Sequence, residues 1–307
     1  MSEAKGVKVL KFGGTSVGSG EALRRVADIV RSTVQTHRVV LVISAASGVT
    51  DLLEAHLQGS YSGKQLVEHL WVRQHVLASG VLPSPALLLY EETLRARLAE
   101  VAKQIYGSEH ESSAKDDWLR ALGERLHAPL VTLMLREAGL NTLMQDAAVL
   151  IRTDDTFSNA LVDIDVTTQQ VRDWHARLPA TTVPVVTGFI GGTADGVTTT
   201  LGRGGSDYAA ALLAASLQAT VLERWTDVDG LYTHDPRTNE QAEHLPCIRL
   251  EEAWQWNRAG RLGMHRKMLD PLVRAAVPVH IRCTTQPDEQ GTWLLPSCLD
   301  ENVAVAS

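Results

Sequence analysis

Cysteine is scarce in this sequence. Cys247, Cys283 and Cys298 are the only three in 307 residues, too few and too scattered for a disulfide framework or a Cys-x-x-Cys metal site. Histidine never falls into a His-Glu-x-x-His spacing, so zinc-protease chemistry has no local signature. Excess positive charge is missing too. A net charge of -7 gives no basic footprint for nucleic acid or an anionic membrane. No apolar run approaches the roughly 20 residues that span a bilayer, and the first residues show neither a signal-peptide nor a transit pattern. These absences read as a soluble, cytoplasmic protein. With 44% hydrophobic and 21% charged residues, the chain has the composition of a globular domain and the length to bury a large core.

Periodicity then sets the fold class. Val7 to Leu10 predicts a buried strand, and a Gly-rich stretch follows it. Next comes a helix whose Leu23, Val26, Ala27, Val30 and Val34 share one face. Val39 to Ile43 is a β-branched run that ends in small residues, predicting a second buried strand. Residues 65–139 are helical in character, with breaks near Gly80 to Pro85 and Gly107 to Ser113. Further strands are predicted at Ala148 to Ile151, Val183 to Val186, Val221 to Trp225 and Val277 to Ile281, mostly with helices between them. This alternation predicts an α/β sandwich with a largely parallel central sheet.

Three constellations carry the chemistry. The first is Lys11-Phe-Gly-Gly-Thr-Ser16, directly after the first strand. Adjacent glycines let backbone N–H groups approach a phosphate, and Lys11 adds a full charge. The same residues also suit a plain structural turn, and the spacing is not that of a Walker A loop. The second is Thr198-Thr-Thr-Leu-Gly-Arg-Gly-Gly-Ser-Asp-Tyr208, ahead of an apolar helix. Ser206 or Asp207 as a helix cap explains one residue there. It leaves Arg203, a guanidinium fork between glycines suited to a carboxylate or phosphate. The third is Trp225-Thr-Asp-Val-Asp-Gly-Leu-Tyr232 with Asp235-Pro-Arg237, at the carboxyl end of a strand. Open α/β sheets bind ligands at such ends, although an ordinary surface turn has the same composition, and the ligands of a calcium loop do not follow. Ser44-Ala-Ala-Ser-Gly-Val-Thr50 and Glu124 in Leu-Gly-Glu-Arg-Leu are weaker signals, equally at home in a turn and on a solvated helix.

Taken in order and together with Gly188-Phe-Ile-Gly, these segments resemble the catalytic domain of aspartokinases over nearly the whole chain. The resemblance implies an ATP- and Mg²⁺-dependent transfer of phosphate to the side-chain carboxylate of L-aspartate. The product is 4-phospho-L-aspartate, at the head of lysine, threonine and methionine biosynthesis. It implies an open three-layer α/β/α sandwich and a catalytic domain over 1–299, with an amino-acid-binding lobe to about 180, a nucleotide-binding lobe after it, a short tail at 300–307 and a homodimer. On the same basis Lys11 and Asp207 are catalytic. Ser44, Thr50, Glu124, Phe189, Arg203 and Ser206 shape the aspartate pocket. Gly13, Gly14, Thr15, Ser16, Thr226, Asp227, Tyr232, Asp235 and Arg237 hold the nucleotide.

The sequence also departs from the family pattern. Where the family continues Phe-Gly-Ala-Lys-Val-Leu-His-Pro, an ungapped register gives Ala259-Gly-Arg-Leu-Gly-Met-His-Arg266 and puts Leu262 in place of a phosphate-binding lysine. Arg261 or Lys267 could substitute. Around Glu124 the chain reads Gly-Glu-Arg-Leu-His in place of Gly-Glu-Leu-Met-Ser. These departures leave two alternatives to an aspartate kinase: a kinase of the same fold for another acid, or a non-catalytic binding protein. With no ACT segment in the sequence, ACT-mediated feedback by lysine or threonine is not expected.

Overall fold

The computed structural model describes residues 5–107, 112–234, 239–260, 262, 264 and 267–296. Its centre is a sheet of eight strands among the described residues. Strands β1 (Val7–Phe12) and β2 (Arg38–Ile43) pair in parallel, and β3 (Thr142–Gln145) and β4 (Val183–Thr187) extend the sheet beyond β2. A hairpin of β5 (Ile190–Gly192) and β6 (Thr198–Thr200) follows. Then β7 (Val221–Thr226) pairs in parallel with the free edge of β1. A second hairpin, β8 (Leu231–Tyr232) with β9 (His244–Leu245), precedes β10 (Cys247–Arg249), β11 (Val279–Cys283) and β12 (Thr292–Leu295). The order is β10-β12-β11-β7-β1-β2-β4-β3, parallel except between β11 and β12.

Both faces are covered, which is why Val39–Ile43 of β2 reads as an unbroken apolar run and β1 carries apolar residues on both faces. Alternate residues of β1 and β2 divide between two cores. Leu10, Phe12, Leu41 and Ile43 face one side, and Val9, Val40 and Val42 face the other. The first core is closed by α1 (Gly20–Thr33), α3 (Gly63–Ser79), α4 (Ser84–Gly107) and α6 (Leu122–Glu137), with α2 (Val49–Leu57) and α5 (Ser113–Arg120) beside them. The second is closed by α7 (Ile164–Ala176), α8 (Gly205–Ser216), α9 (Leu250–Arg258) and α10 (Leu269–Ala275). The three-layer sandwich expected from the sequence is the architecture observed. No helix among the described residues is long and apolar enough to cross a membrane.

One predicted strand is wrong. Residues 148–151 are not extended, because Asp146 accepts from the Ala148 N–H and caps a 3₁₀ turn at Ala147–Val149. The strand lies earlier, at β3. It is an edge strand with Leu143 partly in solvent, so its pattern is weaker than that of the apolar run after it. The last predicted strand is displaced to β11. The first helical break falls as expected, between α3 and α4, and the second falls mostly at 108–111, outside the described residues.

Candidate active site

Lys11 and Arg224 are register partners on β1 and β7. Their side chains leave the same face of the sheet towards the first turn of α8, where Asp207 sits. Lys11 Nζ lies 2.5 Å from Asp207 Oδ1, and Arg224 Nε donates to Oδ2 at 3.1 Å. Lys11 and Asp207 are both under 10% exposed. Burial alone would raise the Asp207 pKa, but the charges and hydrogen bonds of Lys11 and Arg224 outweigh it and hold the carboxyl well below its usual range. The three groups form a buried, ionised cluster in which two cations share one anion.

The sequence folds this way because glycines admit the backbone on either side. Gly13 N–H bonds to Trp225 O at 3.2 Å, and Gly14 O accepts from Ser47 N at 3.1 Å. A Cβ on Gly14 would stand 2.9 Å from Ala45 O, so the loops after β1 and β2 interleave only with glycine there. Ser16 is an anchor, its buried Oγ 2.7 Å from Thr284 Oγ1, and Thr15 is exposed. At α8 the N-cap is Gly204, at φ +73 and without a side-chain cap. The capping alternative for Ser206 and Asp207 is therefore overturned. Asp207 serves the cation cluster, and Ser206 Oγ points to Glu124 Oε1 at 3.4 Å.

Glu124 stands in the first turn of α6 and is 4% exposed. Gly123 makes this possible, since a Cβ there would meet Ala45 Cβ at 2.6 Å. Burial pushes the Glu124 carboxyl up to about 7, against the opposing pull of the Ala45 N–H, its own N–H, Ser206 and the Lys11 charge. Phe189 adopts φ +67 just after β4, and its ring lies against Gly205. Arg203 is exposed between Gly202 and Gly204, and no ion pair engages it among the described residues. Ser44 and Thr50 lie at the end of β2 and the start of α2. One cleft of about 320 Å³ gathers Lys11, Gly14, Ser44, Thr50, Glu124, Phe189, Arg203, Ser206 and Asp207.

The remaining candidates lie outside that lining. Gly13 adjoins it, since a Cβ there would be 3.7 Å from Lys11 Nζ. Thr226 ends β7, where its hydroxyl donates to Asp227 Oδ1 at 3.0 Å. Tyr232 donates to Asp229 Oδ2 at 2.7 Å, and this hydrogen bond is the main reason its pKa is raised. Asp235, Arg237 and Arg261 lie outside the described residues. Leu262 packs on the second core. Lys267 Nζ donates to Asn159 Oδ1 at 2.8 Å and lines a separate cavity with Tyr208, Asp270 and Arg274. Arg224 was not among the candidates, although a charge inside an otherwise buried strand is a signal that sequence reading can use. No cluster of three or more His, Cys, Asp or Glu side chains suited to a metal occurs among the described residues.

The profile of the amino acid kinase family matches residues 6–283. The chain belongs to this family. Among family members, the aspartokinase of Chlamydia muridarum is 32% identical over 301 residues, covering 98% of this chain and 66% of the relative. Lysine-sensitive aspartokinase 3 of Escherichia coli is 35% identical over 292 residues, covering 93% and 63%. The crystal structure of E. coli aspartokinase III in complex with aspartate and ADP superposes with a TM-score of 0.83 at 32% identity, covering 96% of this chain and 65% of that one. The chain thus spans slightly less than two thirds of the length of these family members.

Proposed function

We propose that this domain transfers the γ-phosphoryl group of ATP to the side-chain carboxylate of L-aspartate, forming 4-phospho-L-aspartate and ADP. The observation that carries the reading is one cleft with a buried Lys11–Asp207–Arg224 cluster at its floor and two oppositely charged groups, Arg203 and Glu124, in its walls. An α-amino acid presents a carboxylate and an ammonium group together. Arg203 suits the first as a bidentate fork, and ionised Glu124 suits the second. Ser44, Thr50 and Ser206 add hydroxyls, and Phe189 closes one side. The relative solved with aspartate and ADP shares this fold over 96% of the present chain.

Phosphoryl transfer asks mainly for positioning and charge neutralisation. The aspartate side chain is ionised at neutral pH and needs no general base. Its oxygen forms the new bond to the γ-phosphorus while the bond to the β–γ bridging oxygen breaks, so no proton moves. Lys11 meets the negative charge that accumulates between acceptor and nucleotide, assisted by the backbone around Gly13 and Gly14. Asp207 and Arg224 fix the ammonium group of Lys11 in place. The nucleotide is assigned to the adjoining carboxyl end of β7, with Thr226, Asp227 and Tyr232, and with Asp235 and Arg237 beyond the described residues. Both oxygens of Asp207 are engaged by cations, so Mg²⁺ is assigned to the nucleotide phosphates, where it supplies further charge neutralisation when bound.

The test is coupled ADP release with aspartate, ATP and Mg²⁺, run beside a panel of other carboxylic acids. Aspartate-dependent release is expected. Its absence overturns the reading, and a clear preference for another acid replaces the acceptor.

A further inference from the structure

Contacts on the outside of the cleft converge on one carboxylate. Asp117, on α5, has no exposed surface. Its Oδ2 accepts from the backbone N–H of Thr200 at 2.7 Å and of Ser158 at 2.8 Å, and Arg120 Nη1 reaches its Oδ1 at 3.3 Å. Ser158 stands at φ +68, a left-handed conformation that a serine keeps only where its surroundings hold it. Ala160 N donates to Thr200 O at 3.0 Å, which braces this turn against β6. Asn159 Oδ1 lies 2.7 Å from where a Cβ on Gly202 would stand, so the same turn backs the residue just before Arg203.

The other end of the chain of contacts is on α2. Arg120 Nε and Nη2 grip Glu54 at 2.7 and 3.4 Å, and Glu54 follows Thr50 by one helical turn. Two walls of the cleft are thereby joined from behind, the one bearing Thr50 and the one bearing Arg203. We infer that Arg120 and Asp117 form a strap that sets the separation of these walls, and that they act as positioning residues for the acceptor amino acid and not for the nucleotide. Neither side chain lines the cleft. The kinetic part of this inference rests on the proposed aspartate-kinase activity.

A purely structural role would lower stability and disturb both substrates alike, so the test separates them. Arg120→Met and Glu54→Gln, alone and together, leave the two N–H bonds to Asp117 in place. The KM for aspartate is expected to rise about tenfold while that for ATP stays within about twofold. The double variant should be no worse than Arg120→Met, because both changes cut one strap. Hydrogen exchange in 198–203 should accelerate while that in 11–17 does not. Equal shifts in both KM values, or additive effects of the two substitutions, overturn the strap. The exchange arm reads without turnover. If the wild-type protein releases no ADP with aspartate, the kinase reading fails by itself, and unchanged exchange in Arg120→Met overturns the strap separately.

Discussion

Asp207 and Glu124 are both almost fully buried, and each lies in the first turn of a helix. They face one cleft, yet their ionisation is shifted in opposite directions. Asp207 meets Lys11 and Arg224 at 2.5 and 3.1 Å and stays charged far into acid. Glu124 meets only N–H groups and a hydroxyl, with the Lys11 charge acting weakly on it, and its carboxyl rises to about 7. Burial is the same and the partners differ. Asp207 is a permanent anion whose task is to hold cations, whereas Glu124 is a carboxylate that a cationic ligand would complete.

The largest effect expected from breaking this contrast comes at Lys11. Lys11→Met removes the cation that serves the reaction, and ADP release should fall by about a thousandfold or more. Next is Asp207→Asn, which leaves two cations in a space built for three charges. About a hundredfold loss of turnover is expected, with a stability loss of about 3–5 kcal/mol in denaturant titrations. If Asp207→Asn proved neutral in both, the ionised cluster would not be what orders the floor.

The pH dependence sharpens the comparison from the other side. Between about pH 4.5 and 7 the folded protein keeps a proton on Glu124 that the unfolded chain has released. Stability from this group therefore falls as pH rises through that window, by up to about 3 kcal/mol. Asp207 has the opposite sign, since its contribution is present above its unfolded pKa near 3.8 and is lost as pH falls below it. Glu124→Gln should gain in thermal stability relative to wild type as pH rises from about 5 to about 8. In the wild type, the KM for aspartate should fall about tenfold as pH rises through 7, and the variant should lose that dependence. A flat difference in melting temperature would place Glu124 among ordinary carboxylates.

The smallest effect is expected at Lys267. Its Nζ is engaged by Asn159 in a cavity apart from the Lys11 cleft, so Lys267→Ala should change turnover less than about threefold. A hundredfold loss would show that a second cation reaches the phosphates from this side. The ungapped register of the sequence puts Leu262 where the family's lysine stands.

What was legible in the sequence follows burial. The strands β2 and β4 are mostly apolar on both faces, and β1 and β7 keep enough apolar residues around their charges to be read directly. The half-exposed edge strand β3 was lost to the more apolar 3₁₀ turn beside it, because periodicity does not show which run an Asp146 cap will bend. In the site, Lys11, Gly14, Arg203 and Asp207 were marked by glycines and isolated charges. A glutamate on a helix reads as solvated, so Glu124 was carried by resemblance. Its physical cue was the neighbouring Gly123, whose missing side chain brings the helix against Ala45. Arg224 belongs to no motif, and only its register beside Lys11 makes it half of a cation pair.

The position of β1 in the sheet bears on how the molecule is made. It is synthesised before β2 and long before β7, yet it ends between them. Its pairing with β7 joins Lys8 to Val221 and Phe12 to Trp225. Until that distant segment has been synthesised, one edge of a largely apolar strand has no neighbour, an aggregation hazard in a nascent chain. The buried charge cluster cannot assemble earlier either, since Asp207 and Arg224 belong to the same late stretch. A stalled or truncated chain would carry an open seam through the middle of its sheet, and chaperone demand should peak just before β7 emerges.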